Sequence, residues 1–112
     1  MNKDLRSFLA QTRQLGGKYF AQVTRPVDPL YEPCVIQQKL AEAGRFPVIS
    51  FDRINGSDLP LVSNVFGSYE LLGLALDVGP DEPKSAILQR FRERVANPIP
   101  VREVAARDAP VQ

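Results

Sequence analysis

Cys34 is the only thiol in the chain, and no histidine accompanies it. A cysteine near a helix start can be acidified by the helix dipole, but a working nucleophile also needs a base or cation beside it. The absence of histidine removes Ser–His and Cys–His pairs, every His metal site and the usual base near neutral pH. A single cysteine also leaves no disulfide framework and no thiolate zinc site. Cys34 therefore reads as a packed or surface residue rather than a reactive one. The adjacent acids Asp81 and Glu82 fall at an expected helix start, where capping accounts for them better than acid/base work. Asp52 and Asp58 flank an Asn-Gly pair, and turn chemistry explains Asp58 as well as catalysis would. Lys84, Arg90, Arg92, Arg94 and Arg102 suggest a phosphate site, yet Glu82 and Glu93 interrupt them and no aromatic platform joins them. A solvated helix face is the better reading. Gly16-Gly17 lacks phosphate-loop spacing and reads as a helix-to-strand turn. These residues assign no catalytic, cofactor-binding or metal-ligating position in the chain.

The elements that would have to position any chemistry are bounded first by size. The chain has 112 residues, room for one domain. It is 44% hydrophobic and 24% charged, which is globular composition. Lys and Arg total 14 against 13 Asp and Glu, so a net charge of +1 supplies no bulk attraction to nucleic acid or anionic membrane. The longest apolar runs, such as residues 71–76, fall far short of the roughly 20 residues that span a bilayer. Met1-Asn2-Lys3-Asp4 lacks a signal-peptide layout. A lone cysteine without a targeting segment points to the cytoplasm.

Periodicity predicts four helices and a small mixed sheet, an α/β fold of the α+β type. Asp4 is placed to cap a first helix whose face is Leu5, Phe8, Leu9 and Thr12, ended by Gly16-Gly17. Residues 18–25 read as a strand with Tyr19, Ala21 and Val23 on one side; Phe20 breaks the alternation and implies cover on both faces. Pro26-Val27-Asp28-Pro29 reads as an extended connection. A second helix over 32–43 carries Val35, Ile36, Lys39, Leu40 and Ala43 as its stripe, with the Lys39 stem along the apolar surface and Pro33 in the first turn. In a strand over 47–54, Val48, Ser50 and Asp52 alternate with Ile49, Phe51 and Arg53. Asn55-Gly56 predicts a type I′ hairpin turn to a partner strand over 59–64. A third helix over 69–76, capped by Ser68, presents Leu71, Leu72, Ala75 and Leu76, with Gly73 implying close packing. A fourth begins near Asp81-Glu82-Pro83, runs to about Ala96 and carries Ile87, Leu88, Phe91 and Val95. The expected domain is 1–96, followed by an extended, proline-punctuated tail over 97–112.

The succession of segments is more specific than any one of them. Asp4-Leu5-Arg6-Ser7-Phe8-Leu9 is followed by Arg25-Pro26-Val27-Asp28-Pro29-Leu30-Tyr31-Glu32. Asn55-Gly56-Ser57-Asp58-Leu59-Pro60, Asn64-Val65-Phe66-Gly67-Ser68 and Leu74-Ala75-Leu76 with Val78-Gly79 come next. Asn97-Pro98-Ile99-Pro100-Val101 and Ala109-Pro110-Val111-Gln112 close the series. In this order they resemble the N-terminal domain of the UbiD family of prenylated-FMN-dependent decarboxylases, of the 3-octaprenyl-4-hydroxybenzoate carboxy-lyase type. Two places depart from the family pattern. Gly17-Lys18-Tyr19-Phe20 is bulkier than the family's Gly-Glu-Leu turn, and Arg53-Ile54-Asn55-Gly56 replaces Asn-Val-Lys-Gly.

The resemblance implies reversible decarboxylation of aromatic or α,β-unsaturated acids in a longer enzyme. It also implies prenylated FMN with Mn²⁺ and K⁺ there, and a separate flavin prenyltransferase that supplies the cofactor. The family's Glu-Arg-Glu set, metal ligands and flavin contacts belong to a central domain that no segment of this chain matches. The expectation is thus an N-terminal domain, as a fragment or a separate subunit, that packs on the catalytic domain and frames its substrate cleft within a homo-oligomer. The alternative is a free-standing, non-catalytic binding or regulatory module that kept the fold. A small self-sufficient enzyme is disfavoured by the lack of any nucleophile–base or metal constellation.

Overall fold

The computed structural model describes residues 3–109; the Met1-Asn2 start and the expected tail positions Pro110, Val111 and Gln112 lie outside them. The element order is α1 (Leu5–Gln14), β1 (Phe20–Val23), α2 (Glu32–Glu42), β2 (Val48–Phe51), β3 (Leu61–Ser63), α3 (Tyr69–Ala75) and α4 (Lys84–Ala96). A 3₁₀ turn at Ala106–Asp108 follows in the tail. The sheet order is β1-β2-β3. β1 and β2 run parallel, with Phe20 opposite Val48 and Val23 opposite Phe51. β3 returns antiparallel, with Ile49 opposite Ser63 and Phe51 opposite Leu61. The α+β fold with four helices and a mixed sheet is thus the observed one.

Strand periodicity divides the core in two. On one face, Phe20 and Val48 pack with Phe8 of α1 and Leu71 and Leu74 of α3. On the other, Ile49 and Phe51 pack with Val27 and with Ile36 and Leu40 of α2. The cover on both faces that Phe20 implied is therefore present. Asp4 caps α1 as expected: its carboxylate accepts from the Ser7 N–H at 2.8 Å, and the Ser7 hydroxyl accepts from the Asp4 N–H at 3.1 Å. The Ser7 N–H holds the Asp4 carboxyl below its ordinary pKa.

Several expected faces are rotated. α2 buries Pro33 and half-buries Ile36, Gln37, Leu40 and Ala41, whereas Val35 and Lys39 point outward. Lys39 pairs with Glu42 at 3.0 Å instead of laying its stem on the core. α3 buries Leu71, Gly73 and Leu74, and Leu72 is exposed. The apolar count predicted both helices correctly. Their inward sectors were chosen by the sheet, which meets α2 along Ile36–Leu40 and α3 along Leu71–Leu74. The close packing expected at Gly73 is present, since a Cβ there would meet Ile87 Cδ1 at 3.2 Å.

The Asn55-Gly56 turn joins neighbouring antiparallel strands, but it caps a long loop rather than a tight hairpin. Gly56 has a positive φ and Asn55 does not. A type I′ turn needs both, so the positive φ at the second position alone is the type II pattern. The proline-flanked connection is also more than a spacer. Val27 is fully buried and bridges Ile54 in parallel register. Its N–H donates to Arg53 O at 3.1 Å, and its carbonyl accepts from the Asn55 N–H at 2.9 Å. Pro26 and Pro29 flank this single pairing, so their missing donors fall where no ladder bond is required. Glu32 holds the connection in place: it pairs with Arg25 at 2.9 Å and accepts from the Asp28 N–H at 2.5 Å. These contacts hold its carboxyl below the ordinary range, the Asp28 N–H being the larger cause.

Asn64, at a positive φ of 60°, closes β3 against the start of β2. Its amide donates to Pro47 O at 3.0 Å, and its carbonyl accepts from the Gly67 N–H at 3.1 Å. A Cβ on Gly67 would lie 2.3 Å from Asn64 Nδ2. Gly67→Ala must therefore displace the Asn64 amide and strand a carbonyl, at an expected cost of about 1–3 kcal/mol. Urea titration checks this. Unchanged stability would show that the Asn64–Pro47 bond does not hold the corner.

Candidate functional site

The strongest concentration of polar and apolar features lies where α3 turns into α4. α3 ends in a Schellman pattern, with the Val78 N–H on Gly73 O at 2.8 Å and the Asp77 N–H on Leu74 O at 3.1 Å. The residue at the left-handed position is Asp77, φ 61°, rather than glycine. Aspartate is among the few residues that visit this region. Here its carboxylate meets Lys3 Nζ at 2.5 Å and Arg94 Nη2 at 2.5 Å. The hydrogen bonds from Lys3 and then Arg94 hold the Asp77 carboxyl below its ordinary value.

The carbonyls of the α3 end also receive donors from outside the helix. Lys3 Nζ donates to Leu74 O at 2.8 Å. Arg90 Nη1 donates to Leu76 O at 3.2 Å and to Asp77 O at 3.4 Å. Two cations thus sit at the negative end of the helix dipole. The same contacts set the rotation of α4. Ile87 packs over Gly73, and Lys84 lies 4.5 Å from the Tyr69 ring centre. Leu88, Phe91 and Val95 consequently lie on the adjoining flank and are 51%, 54% and 63% exposed. Of the expected apolar stripe, Ile87 is half-buried against α3 while Leu88, Phe91 and Val95 are uncovered, and α4 has no buried residue. Beyond it, Ile99 and Val101 are 91% and 94% exposed. The radius of gyration, 16.7 Å, exceeds the ~13 Å of a compact chain of this length, in keeping with an outlying α4 and tail.

The residues singled out in the sequence do not converge. Cys34 is exposed in the first turn of α2. Glu82 accepts from the Gly79 N–H at 2.6 Å and so closes the loop before α4 rather than capping it; α4 starts after Pro83 with no side-chain cap. Asp52 accepts from Gln22 Nε2 at 2.8 Å across the sheet, while Asp58 is exposed in the long loop. Of the cations, Arg90 and Arg94 serve the α3 end, and Arg92 and Arg102 are exposed. Gly16, φ 96°, terminates α1. A cleft of about 490 Å³ opens beside the Gly17 turn, with Lys18, Arg45 and Glu70 in its wall. Its Arg45 is already engaged with Gly17 O at 3.2 Å. Among the described residues, no three His, Cys, Asp or Glu side chains gather as a metal site. No helix among them is long and apolar enough to cross a membrane. Lys3 and Asp77 were missed in the sequence because their partnership spans most of the chain. The only local signal was an aspartate between an apolar helix and Gly79-Pro80.

Similarities to known proteins bear on this arrangement. The family described as 3-octaprenyl-4-hydroxybenzoate carboxy-lyase N-terminal domain matches residues 18–95. The vanillic acid decarboxylase of Sedimentibacter hydroxybenzoicus, in its closed form, matches 98% of this chain at 27% identity and a TM-score of 0.82. In its open form, with truncated ShVdcD, it matches 87% with a TM-score of 0.76 and 26% identity. An evolved dimeric form of the UbiD-class enzyme HmfF from Pelotomaculum thermopropionicum, in complex with prFMN, matches 96% at 31% identity and a TM-score of 0.70. The chain spans only 21–23% of the length of these structures.

The Asp77 contacts make two separable predictions. Asp77→Asn keeps a residue suited to positive φ and removes the charge, costing up to about 1 kcal/mol near neutral pH because the pair is solvent-screened. Asp77→Ala adds the left-handed strain of about 1 kcal/mol more. The folded carboxyl titrates below 3.8, so its stabilisation is complete above that value and is lost as pH falls through the lowered one. Thermal melts of wild type and Asp77→Asn should therefore converge on acidification. A constant gap across pH would show that the charge contributes nothing.

Proposed function

Because this chain belongs to the UbiD N-terminal domain family, we propose that it serves as the N-terminal domain of a UbiD-like decarboxylase. The domain, as part of a longer polypeptide or as a separate subunit, packs on the catalytic portion and helps frame the substrate cleft. The observation that carries this reading is the asymmetry of the match: nearly the whole chain corresponds to less than a quarter of a vanillic acid decarboxylase. The reaction of the whole enzyme is reversible, non-oxidative loss of CO₂ from an aromatic or α,β-unsaturated acid. Prenylated FMN, Mn²⁺ and K⁺, the supplying prenyltransferase, the homo-oligomer and the cytoplasmic setting belong to that longer enzyme.

The described residues do not fit the flavin. Gly16 and Gly17 form the turn that ends a helix, not a phosphate cradle, and the cationic side chains nearest a cleft are engaged, Arg45 with Gly17 O at 3.2 Å and Lys18 over the Tyr19 ring at 5.4 Å. No buried side-chain polar atom among them waits for a partner. No catalytic step is therefore assigned to this chain; its part is to hold a rigid α/β wedge in place. Residues 97–109 are almost wholly exposed and carry no helix or strand beyond one 3₁₀ turn, which supports reading them as a linker from a domain over 1–96 to the catalytic portion.

Two measurements test the reading. The 112-residue chain, incubated with prenylated FMN, Mn²⁺ and a panel of aromatic and unsaturated acids, should release no CO₂ above a blank. In extracts of the source cells, peptides from residues 18–95 should run in a polypeptide or stable complex several times larger than 12.5 kDa. Decarboxylation by the chain alone, or a free 12.5 kDa species with no decarboxylase partner, would overturn the proposal in favour of an independent module.

A further inference from the structure

The exposed stripe on α4 has a defined direction and a defined size, and together these select what covers it. Its direction is set by contacts on the adjoining flank of the helix, about 100° round the axis. Ile87 lies against Gly73, and Arg90 and Arg94 are drawn to the α3 end by the Leu76 and Asp77 carbonyls and the Asp77 carboxylate. These contacts leave Leu88, Phe91 and Val95, spaced i, i+3, i+7, as one apolar row held outward on an anchored helix. Arg90 is further paired with Glu93 at 3.6 Å, so the charges of α4 are largely spent within the domain.

The size argues against a free second copy. Three half-exposed side chains present on the order of 300 Å² of apolar surface, whereas a stable complex of separate molecules buries about 800 Å² on each partner. A partner joined through the chain is different, because tethering supplies a high effective concentration and removes much of the association cost. α4 leads directly into residues 97–109, so a covalently attached partner would be tethered through them to the end of the helix that carries this row. The matched decarboxylase structures carry more than three-quarters of their length beyond the part this chain resembles. The apolar residues Leu30 and Tyr31 are also exposed, but they lie in the connection before α2, remote in sequence from that junction.

We propose that Leu88, Phe91 and Val95 form the face by which this domain docks on the remaining, catalytic polypeptide of the decarboxylase, an inference that rests on the function proposed above. The partner surface is apolar and closely fitted, and burial of this row fixes the wedge relative to the cleft.

Thiol labelling reads this directly. In a Cys34→Ser background, Phe91→Cys is introduced into the 112-residue chain and into the longer polypeptide or complex that carries it. Tyr31→Cys serves as the reference. In the short chain both thiols should react rapidly with a maleimide. In the longer species the Phe91→Cys thiol should react at least about tenfold more slowly, with the Tyr31→Cys thiol unchanged. Equal reactivity of Phe91→Cys in both species overturns the docking face while leaving the functional reading intact. Protection that appears in the short chain as its concentration rises assigns the row to a second copy and also overturns it. Absence of any longer species overturns both readings together.

Discussion

The double pairing of β2 is the constraint on which the domain depends. Val48, Ile49 and Phe51 are fully buried, and both edges of the strand are hydrogen-bonded, to β1 on one side and β3 on the other. A strand buried on both faces needs a helical layer on each, and the chain supplies α1 and α3 on one and α2 on the other. With only three strands there is no further sheet to share the load. Loops that would elsewhere be spacers extend the pairing instead, as Val27 does against Ile54.

A sheet this small leaves α4 without a place in the core. It is attached to α3, by the Gly73–Ile87 contact and by arginines that complete the α3 carboxyl end, and it turns its apolar row outward. The Asp77 turn links these facts. An aspartate in the left-handed position ends α3 and receives a cation from each end of the domain, Lys3 and Arg94. Stability and presentation are thereby coupled: the group that closes the helix also aims the face proposed to meet the catalytic portion. The proposed docking rests on this outward row, and the chain matches less than a quarter of the length of a larger enzyme.

The family segments acquire physical meaning in the fold. Residues 25–32 and 53–58 look like independent loops, yet Val27 and Ile54 zip them together and Glu32 holds the first by Arg25 and the Asp28 amide. Asn64-Val65-Phe66-Gly67-Ser68 works as a corner, where Gly67 leaves room for the Asn64 amide beneath it and Ser68 caps α3. Such segments are informative together because each depends on another distant in the chain.

What the sequence determined by itself was local. The Asp4 and Ser68 caps, the glycine stops and the 3.6- and 2-residue periods fix where helices and strands form, because each depends on neighbours within a few residues. The lack of histidine and of a second cysteine likewise ruled out whole chemistries without reference to shape. Tertiary structure decided which sector of each helix faces inward. Val35, Lys39 and Leu72 were eligible by spacing, but the sheet met α2 and α3 along Ile36–Leu40 and Leu71–Leu74. It also decided that Val27 is core, that Asp77 gathers Lys3 and Arg94, and that the α4 row remains open. Burial is a property of the partner surface, and periodicity describes only the surface that a segment offers.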